Sequence, residues 1–557
     1  MKRGILVTLL VITIVVIVIV LIGGYLYYQI NREPFIPENS FLKIHAGGQI
    51  IDNDSSPLSK KTTLRDLWYH IKRAKKDDRI KGILLKISYM ETGFAKVDDI
   101  GRLIKDFRKS GKKVYAFIEN GGLREYQLAT YADKIFAYKR GSLTLNGLAA
   151  HALFLKNSLS KLGIKADFIN IGSYKTGPNI FTKEKLTDVH KESLESLVYD
   201  IYDSSIRIIS ENRNIKPEKI KNIIEDFTID GKRYLKEKFI DGLVYEDEVL
   251  KEKNIKTVSF PVYKETSSPL PYKGKDKIAV IFAQGEIHTG ASGGKSIFGG
   301  EILGSDTLVR YLRSARKNKS VKGVVLRVDS PGGSPFASDI IRHESELLIK
   351  EKPLVISMGD VAASGGYMIS LSSSKILSLP QTITGSIGVY GGKFVLKGFY
   401  DKIGVNKEII KTSKFADFFS DYKEFTIEQR EKYKNFMQYI YDFFLEETSK
   451  TRKMKIEDVK KVAEGRVWSG TKALNKNLVD QIGGISEAIE EARKLAKIDQ
   501  KDDFGIRIYP IKRSFIDYLM EMLSSQSNGI TSSIKIGLDR YENFFPAMIV
   551  PFKIVID

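Results

Sequence analysis

A chain of 557 residues exceeds one ordinary core, so at least two domains are expected. With 42% hydrophobic and 28% charged residues it is not a disordered chain, and without cysteine it has no disulfide, thiolate nucleophile or zinc–thiolate site. Its 89 Lys and Arg outnumber 68 Asp and Glu, a net charge of +21, but the lysines are spread along the chain without a nucleic-acid recognition motif. A basic surface beside an anionic membrane accounts for the same charge, and no nucleic-acid partner is expected.

Lys2 and Arg3 precede an apolar run from Gly4 to Ile22, which continues past Gly23 and Gly24 to Tyr25, Leu26, Tyr27 and Tyr28. About 20 apolar residues span a bilayer, and tyrosines favour its interface. A cleaved secretory signal would end at a small-x-small site, whereas bulky residues follow here. Residues 1–28 are therefore expected to form a cytoplasmic N-terminus and transmembrane anchor, with everything after about Gln29 outside. Residues 29–40 read as a linker.

The remainder is duplicated. Ile80-Lys81-Gly82-Ile83-Leu84-Leu85 resembles Val321-Lys322-Gly323-Val324-Val325-Leu326, an offset of 323 − 82 = 241. Lys134-Ile135-Phe136 and Lys375-Ile376-Leu377 keep that offset, as do Lys161-Leu162-Gly163-Ile164 and Lys402-Ile403-Gly404-Val405. Three segments in one register identify a tandem duplication. The seam falls near the proline-bearing stretch Glu265 to Pro271. The repeats span 41–265 and 266–500, leaving 501–557 as a C-terminal extension.

Each repeat opens on a strand-like run, Phe41 to His45 and Ile278 to Phe282, and alternates apolar β-branched runs with helical patterns. Val114 to Ile118 and Leu354 to Met358 are two such runs, and the alternation argues for α/β units with buried strands. Two amphipathic helices are expected, one carrying Leu194, Leu197, Val198 and Ile201, the other Tyr433, Phe436, Met437, Ile440 and Phe444.

The repeats diverge where chemistry could sit. In the second, the strand Val324 to Val328 runs into Asp329-Ser330-Pro331-Gly332-Gly333-Ser334, where paired glycines let backbone N–H groups face a ligand; a plain turn is the competing reading. The first repeat has Ser88 to Gly93 there, without Pro-Gly-Gly. After Leu354 to Met358 comes Gly359-Asp360-Val361-Ala362-Ala363-Ser364-Gly365-Gly366-Tyr367. A serine among alanines and glycines at a strand-to-helix transition can expose its hydroxyl beside amides able to hold an oxyanion, or it can serve only close helix packing. Leu123 occupies its place in the first repeat (364 − 123 = 241).

A serine nucleophile needs a base. None of the six histidines (His45, His70, His151, His190, His288 and His343) follows Ser364, which excludes a serine–histidine order running onward from it. A lysine is the other standard base once burial depresses its pKa. Lys175 sits among apolar and small polar residues, Ile169 to Pro178, although a surface role is open to any single lysine.

Pro331-Gly332-Gly333, Ala362 to Tyr367 and Thr384-Gly385-Ser386-Ile387-Gly388 resemble the three signature blocks of the SppA (protease IV) family of signal peptide peptidases, and Gly172-Ser173-Tyr174-Lys175 is similar to the lysine block of its double-length members. The resemblance covers roughly Phe41 to Ala496 plus the anchor. It implies an α/β, crotonase/ClpP-like fold in each repeat, a homotetrameric ring and a Ser–Lys dyad shared between repeats. It implies Ser364 as nucleophile, Lys175 as general base, Ser386 positioning the lysine, and the N–H groups of Gly333 and Gly365 as oxyanion hole. It implies signal peptides and other apolar peptides as substrates, no cofactor or metal, and a single-pass protein of the bacterial cytoplasmic membrane with its catalytic domain on the periplasmic side. Single-length members carry their lysine near the place of Lys414 here (414 − 175 = 239), so Lys414 is the alternative base.

Gly290 to Ser296 has the look of a phosphate-binding loop, but Thr289 stands where that pattern requires glycine, and a glycine-rich loop beside the active site is expected instead. The extension's apolar stretches, Ile516 to Leu523 and Phe544 to Val550, are too short to span a bilayer and are expected to pack on the ring. Rival readings are a membrane scaffold that kept the fold without the chemistry, and an acyl-CoA enzyme of the crotonase fold. The motif residues argue against the first. An external domain argues against the second.

Overall fold

The computed structural model describes residues 33–54, 61–267, 269–294, 296, 300–499, 503–511 and 548–549, with a few positions between 13 and 24. Among these residues no helix is long and apolar enough to cross a membrane. The run read as an anchor lies almost wholly outside them.

The first repeat holds strands β1 (Ser40–Gly48), β2 (Ile80–Met90), β3 (Lys113–Gly121), β4 (Lys134–Leu143), β5 (Lys165–Ile171), β6 (Gly242–Leu243) and β7 (Lys256–Ser259). Six of them form one parallel sheet in the order β6-β4-β3-β2-β1-β7, while β5 stands apart. Ile83, Leu84, Leu85 and Ile87 of β2 are fully buried. A parallel strand covered on both faces is apolar along its run instead of alternating, which is why the sequence shows an unbroken Ile-Leu-Leu there.

The second repeat holds β8 (Lys277–Gln284), β9 (Glu286–His288), β10 (Ile302–Gly304), β11 (Val321–Ser330), β12 (Gly332–Gly333), β13 (Leu354–Ala363), β14 (Lys375–Ser378), β15 (Ile383–Gly385), β16 (Val389–Val395), β17 (Val467–Ser469), β18 (Gln481–Ile482) and β19 (Gly505–Tyr509). Its sheet runs β17-β15-β13-β11-β8-β19, with β14 joined to β13 and β18 to β14. Strands β2, β3 and β4 begin at Ile80, Lys113 and Lys134, and β11, β13 and β14 begin at Val321, Leu354 and Lys375, all three pairs in the register of the sequence segments. The duplication in sequence is a duplication in structure.

One boundary needs correcting. β19 lies in the segment read from sequence as an extension outside the repeats, yet it pairs in parallel with β8 and is the edge strand of the second sheet. It answers to β7, which pairs with β1 in the first repeat. Its Gly-Ile-Arg-Ile-Tyr run is too short to announce itself as the final strand of a sheet that opens at Lys277. A further two-residue strand, β20 (Met548–Ile549), runs antiparallel to β12.

Long helices cover each repeat, Asp188–Arg213 in the first and Ile427–Arg452 in the second, and each ends on a residue in the left-handed region, Asn214 and Lys453. Leu197 and Ile201 are buried in one, and Tyr433, Met437 and Phe444 in the other; Phe436, expected in that stripe, is 46% exposed. One apolar core spans both repeats and includes Ile100 and Ile104 of the first-repeat helix Phe94–Arg108 together with Val325 of β11, Val355 of β13 and Ile489; a second core lies almost wholly in the second repeat. A continuous core of this kind fixes the two sheets relative to each other, which positions the site described next.

Candidate active site

Ser364 closes β13 and precedes the helix Gly365–Leu371. Its φ of 56° places a buried non-glycine residue in the left-handed region, a costly conformation imposed by the sharp strand-to-helix turn. Two hydrogen bonds hold the turn: Ser364 N–H donates to Gly385 O at 2.8 Å, and Met368 N–H donates to Ser364 O at 2.9 Å.

Lys175 arrives from the other repeat. Strand β5 pairs antiparallel with β16 from Lys165↔Val395 to Ile171↔Val389, so first-repeat backbone is threaded along the second-repeat strand that follows Ser386. The chain then turns against Glu464 and Gly465. Tyr174 N–H donates to Glu464 O at 2.7 Å, Ser173 N–H donates to Glu464 Oε2 at 3.0 Å, and Tyr441 Oη donates to Glu464 Oε1 at 2.9 Å. A Cβ on Gly465 would lie 2.5 Å from the nitrogen of Lys175, so only glycine lets the two backbones approach this closely.

Lys175 Nζ lies 2.8 Å from Ser364 Oγ, 2.9 Å from Ser386 Oγ and 3.0 Å from Ser386 O. All three oxygens lie within hydrogen-bond reach of the amine, two on Ser386 and one on Ser364. Lys175 is buried, and that burial drives its pKa well below the ordinary lysine value of 10.5. Ser386 is itself held by its N–H donating to Arg466 O at 2.8 Å.

Gly332 and Gly333 form β12, where Gly333 pairs with Ile287 of β9. Gly332 N–H donates within its own loop, to Ser330 Oγ at 3.2 Å. A Cβ on Gly365 would lie 3.1 Å from the Gly333 nitrogen, which brings the amides on either side of Ser364 into one small space. Ser364, Lys175, Ser386, Gly333 and Gly365 thus converge. Lys414 does not: it is largely exposed, ion-paired with Glu428 and set against the Phe415 ring. The glycine-rich loop after β9 is anchored by Ser292, whose N–H donates to Thr307 Oγ1 and whose Oγ accepts from Gly304 N–H, both at 2.9 Å.

The first repeat's equivalent position is filled. Leu123 is buried where Ser364 stands in the second, and Glu125 accepts from Met90 N–H at 2.7 Å and Gly122 N–H at 2.8 Å. Sequence reasoning misses the turn Glu464-Gly465-Arg466, against which the lysine is mounted. Its only local signal is a glycine in a polar turn before the apolar β17, which any hairpin would show.

The class follows from the fold and from the comparisons: this is a serine protease. The family model described as Peptidase family S49 matches residues 106–258 and again 346–499. The chain belongs to that family and carries its domain twice, the second match reproducing the first at the offset of the repeats to within one position. It is 33% identical over 519 residues to the chloroplastic serine protease SPPA of Arabidopsis thaliana, across 91% of this chain and 75% of that one. Protease 4 of Haemophilus influenzae is 31% identical over 511 residues, 87% of this chain and 81% of its own, and Protease 4 of Salmonella typhi is 31% identical over 503 residues, 86% and 79%.

Proposed function

We propose that the protein is a membrane-anchored endopeptidase with a Ser–Lys dyad formed between its repeats, degrading signal peptides left after cleavage and other apolar peptides near the membrane. The observation that carries this reading is the 2.8 Å contact between the strained Ser364 and a buried Lys175, whose pKa burial holds well below the ordinary lysine value. Lys175 Nζ accepts the Ser364 Oγ proton as Oγ attacks the scissile carbonyl carbon. The developing oxyanion is met by the N–H groups of Gly333 and Gly365. The lysine ammonium, steadied by the two oxygens of Ser386, passes its proton to the leaving amine. Water, activated by the neutral amine, then hydrolyses the acyl-enzyme.

The apolar run after Lys2 and Arg3 supports anchoring, with the catalytic repeats on the extracytoplasmic side of the membrane. The relatives' names, SPPA and Protease 4, support the peptidase substrate class, and a homotetrameric ring is the assembly we assign by resemblance. The test is Ser364→Ala in the full-length protein. Apolar peptide cleavage should fall by about three or more orders of magnitude while folding is retained. A fluorophosphonate should add covalently to Ser364 of the wild type alone. Cleavage within a few-fold of wild type in a folded Ser364→Ala protein would remove Ser364 from the reaction.

A further inference from the structure

The loops that carry Gly333 and Ser364 are joined at their base by a first-repeat side chain. Lys96, in the first turn of the helix Phe94–Arg108, is 4% exposed. Its Nζ lies 2.8 Å from Asp329 Oδ2, 3.4 Å from Asp360 Oδ2 and 3.3 Å from Asp52 Oδ1. Asp329 stands four residues before Gly333, and Asp360 four before Ser364. The backbone tightens the same junction: Lys96 N–H donates to Asp360 Oδ1 at 2.8 Å, and Val361 N–H donates to Asp329 Oδ1 at 3.0 Å. Each loop is bound to the other, and both are bound to the first repeat.

Charge makes the arrangement depend on the lysine. Among the described residues, Asp52, Asp99, Asp329 and Asp360 form their ion pairs with two cations, Lys96 and Arg327, whose guanidinium lies 2.9 Å from Asp52 and 2.8 Å from Asp99. Arg327 faces Asp52 and Asp99, so Lys96 is the cation that stands between Asp329 and Asp360. Without it two partly buried carboxylates at the ends of β11 and β13 would face each other with no cation between them, and their repulsion would strain the strand ends that lead to Gly333 and Ser364. Space is tight as well, since a Cβ on Gly93 would lie 2.3 Å from Asp360 Cγ.

We propose that Lys96 is a positioning residue for catalysis: by bridging Asp329 and Asp360 it sets the distance between the oxyanion-binding amides and the nucleophile. This rests on the dyad reading above. The first repeat then contributes twice, with Lys175 at the reacting atoms and Lys96 beneath the loops that hold them.

Lys96→Met in the full-length enzyme is the test, read with an apolar peptide amide and with the rate of fluorophosphonate addition to Ser364. The thermal transition shows whether each variant is folded. The expected result is kcat lowered by about 10- to 100-fold with KM within about threefold of wild type, because small displacements of catalytic groups act on the transition state. Fluorophosphonate addition should slow in parallel. If Lys96→Met does not fold, Gly93→Ala decides, since it keeps every charge and moves only the Asp360 carboxylate; the same loss of kcat is expected. A folded variant with kcat and labelling rate within about threefold of wild type overturns the proposal. A wild type that fluorophosphonate does not modify at Ser364 overturns the dyad reading instead, so the two failures are distinct.

Discussion

Ile171 of the first repeat pairs with Val389 of the second, and that antiparallel ladder delivers Lys175 to the Ser364 hydroxyl in the other repeat. The position of Lys175 is thus set by backbone pairing between repeats as well as by its own contacts. The stiffness of the lysine's mount should therefore matter as much as its chemistry.

Gly465→Ala tests the mount. Its Cβ would fall 2.6 Å from Lys175 Cα, and the residue has a φ of 80°. Strain and displacement together should cost about 1–3 kcal/mol of stability. Thermal unfolding should show the loss, and kcat should fall with KM little changed.

Ser386→Ala removes one of two oxygens that accept from the Lys175 amine and leaves the backbone carbonyl. The ammonium formed in the transition state then lacks one partner. A decrease in kcat of about 10- to 100-fold is expected, since a hydrogen bond to a charged group contributes about 1.5–3 kcal/mol. Steady-state kinetics on an apolar peptide amide would show it, with the thermal transition nearly unmoved.

Lys175→Met should stabilise the fold while abolishing activity. In the unfolded chain the lysine titrates near 10.5, and in the folded protein well below. Between those values the unfolded chain holds a proton that the folded one lacks, so wild-type stability rises with pH across the window. Methionine has no such dependence. The variant's advantage in Tm should be constant below the folded pKa and shrink as pH climbs toward 10.5. Thermal melts at several pH values measure this directly.

The edge of β12 is paired with Met548 and Ile549, so an extended peptide binding there would have to displace them. Ending the chain after Ile511 removes that pairing and keeps β19. Cleavage of short peptide amides should then rise several-fold in kcat/KM; an unchanged value would mean that the pairing does not compete with substrate.

Much of this architecture is legible before any coordinates. The constant register between repeats, the buried Ile83-Leu84-Leu85 run and the glycine blocks around Gly333 and Ser364 are local patterns, and local patterns survive in sequence. What stays hidden depends on distant partners. Nothing near Lys96 announces that it meets Asp329 and Asp360, both in the other repeat. Gly465 looks like any turn glycine until Lys175 is laid against it. The Gly505–Tyr509 run reads as an extension because its partner strand begins far back at Lys277. Lys414 and Lys175 are separable only by placement, since one meets Glu428 at the surface and the other the buried Ser364 hydroxyl.

The most direct measurement is the pH dependence of kcat/KM for wild type, Lys175→Ala and Lys414→Ala in the full-length protein. The wild-type profile should rise toward alkaline pH through a pKa well below 10.5, reporting the buried lysine of the free enzyme. Lys414→Ala should keep that profile with activity near wild type, and Lys175→Ala should lose activity nearly as completely as Ser364→Ala. An active Lys175→Ala protein with the same alkaline rise, beside a silent Lys414→Ala, would place the base in the second repeat and contradict the dyad between repeats.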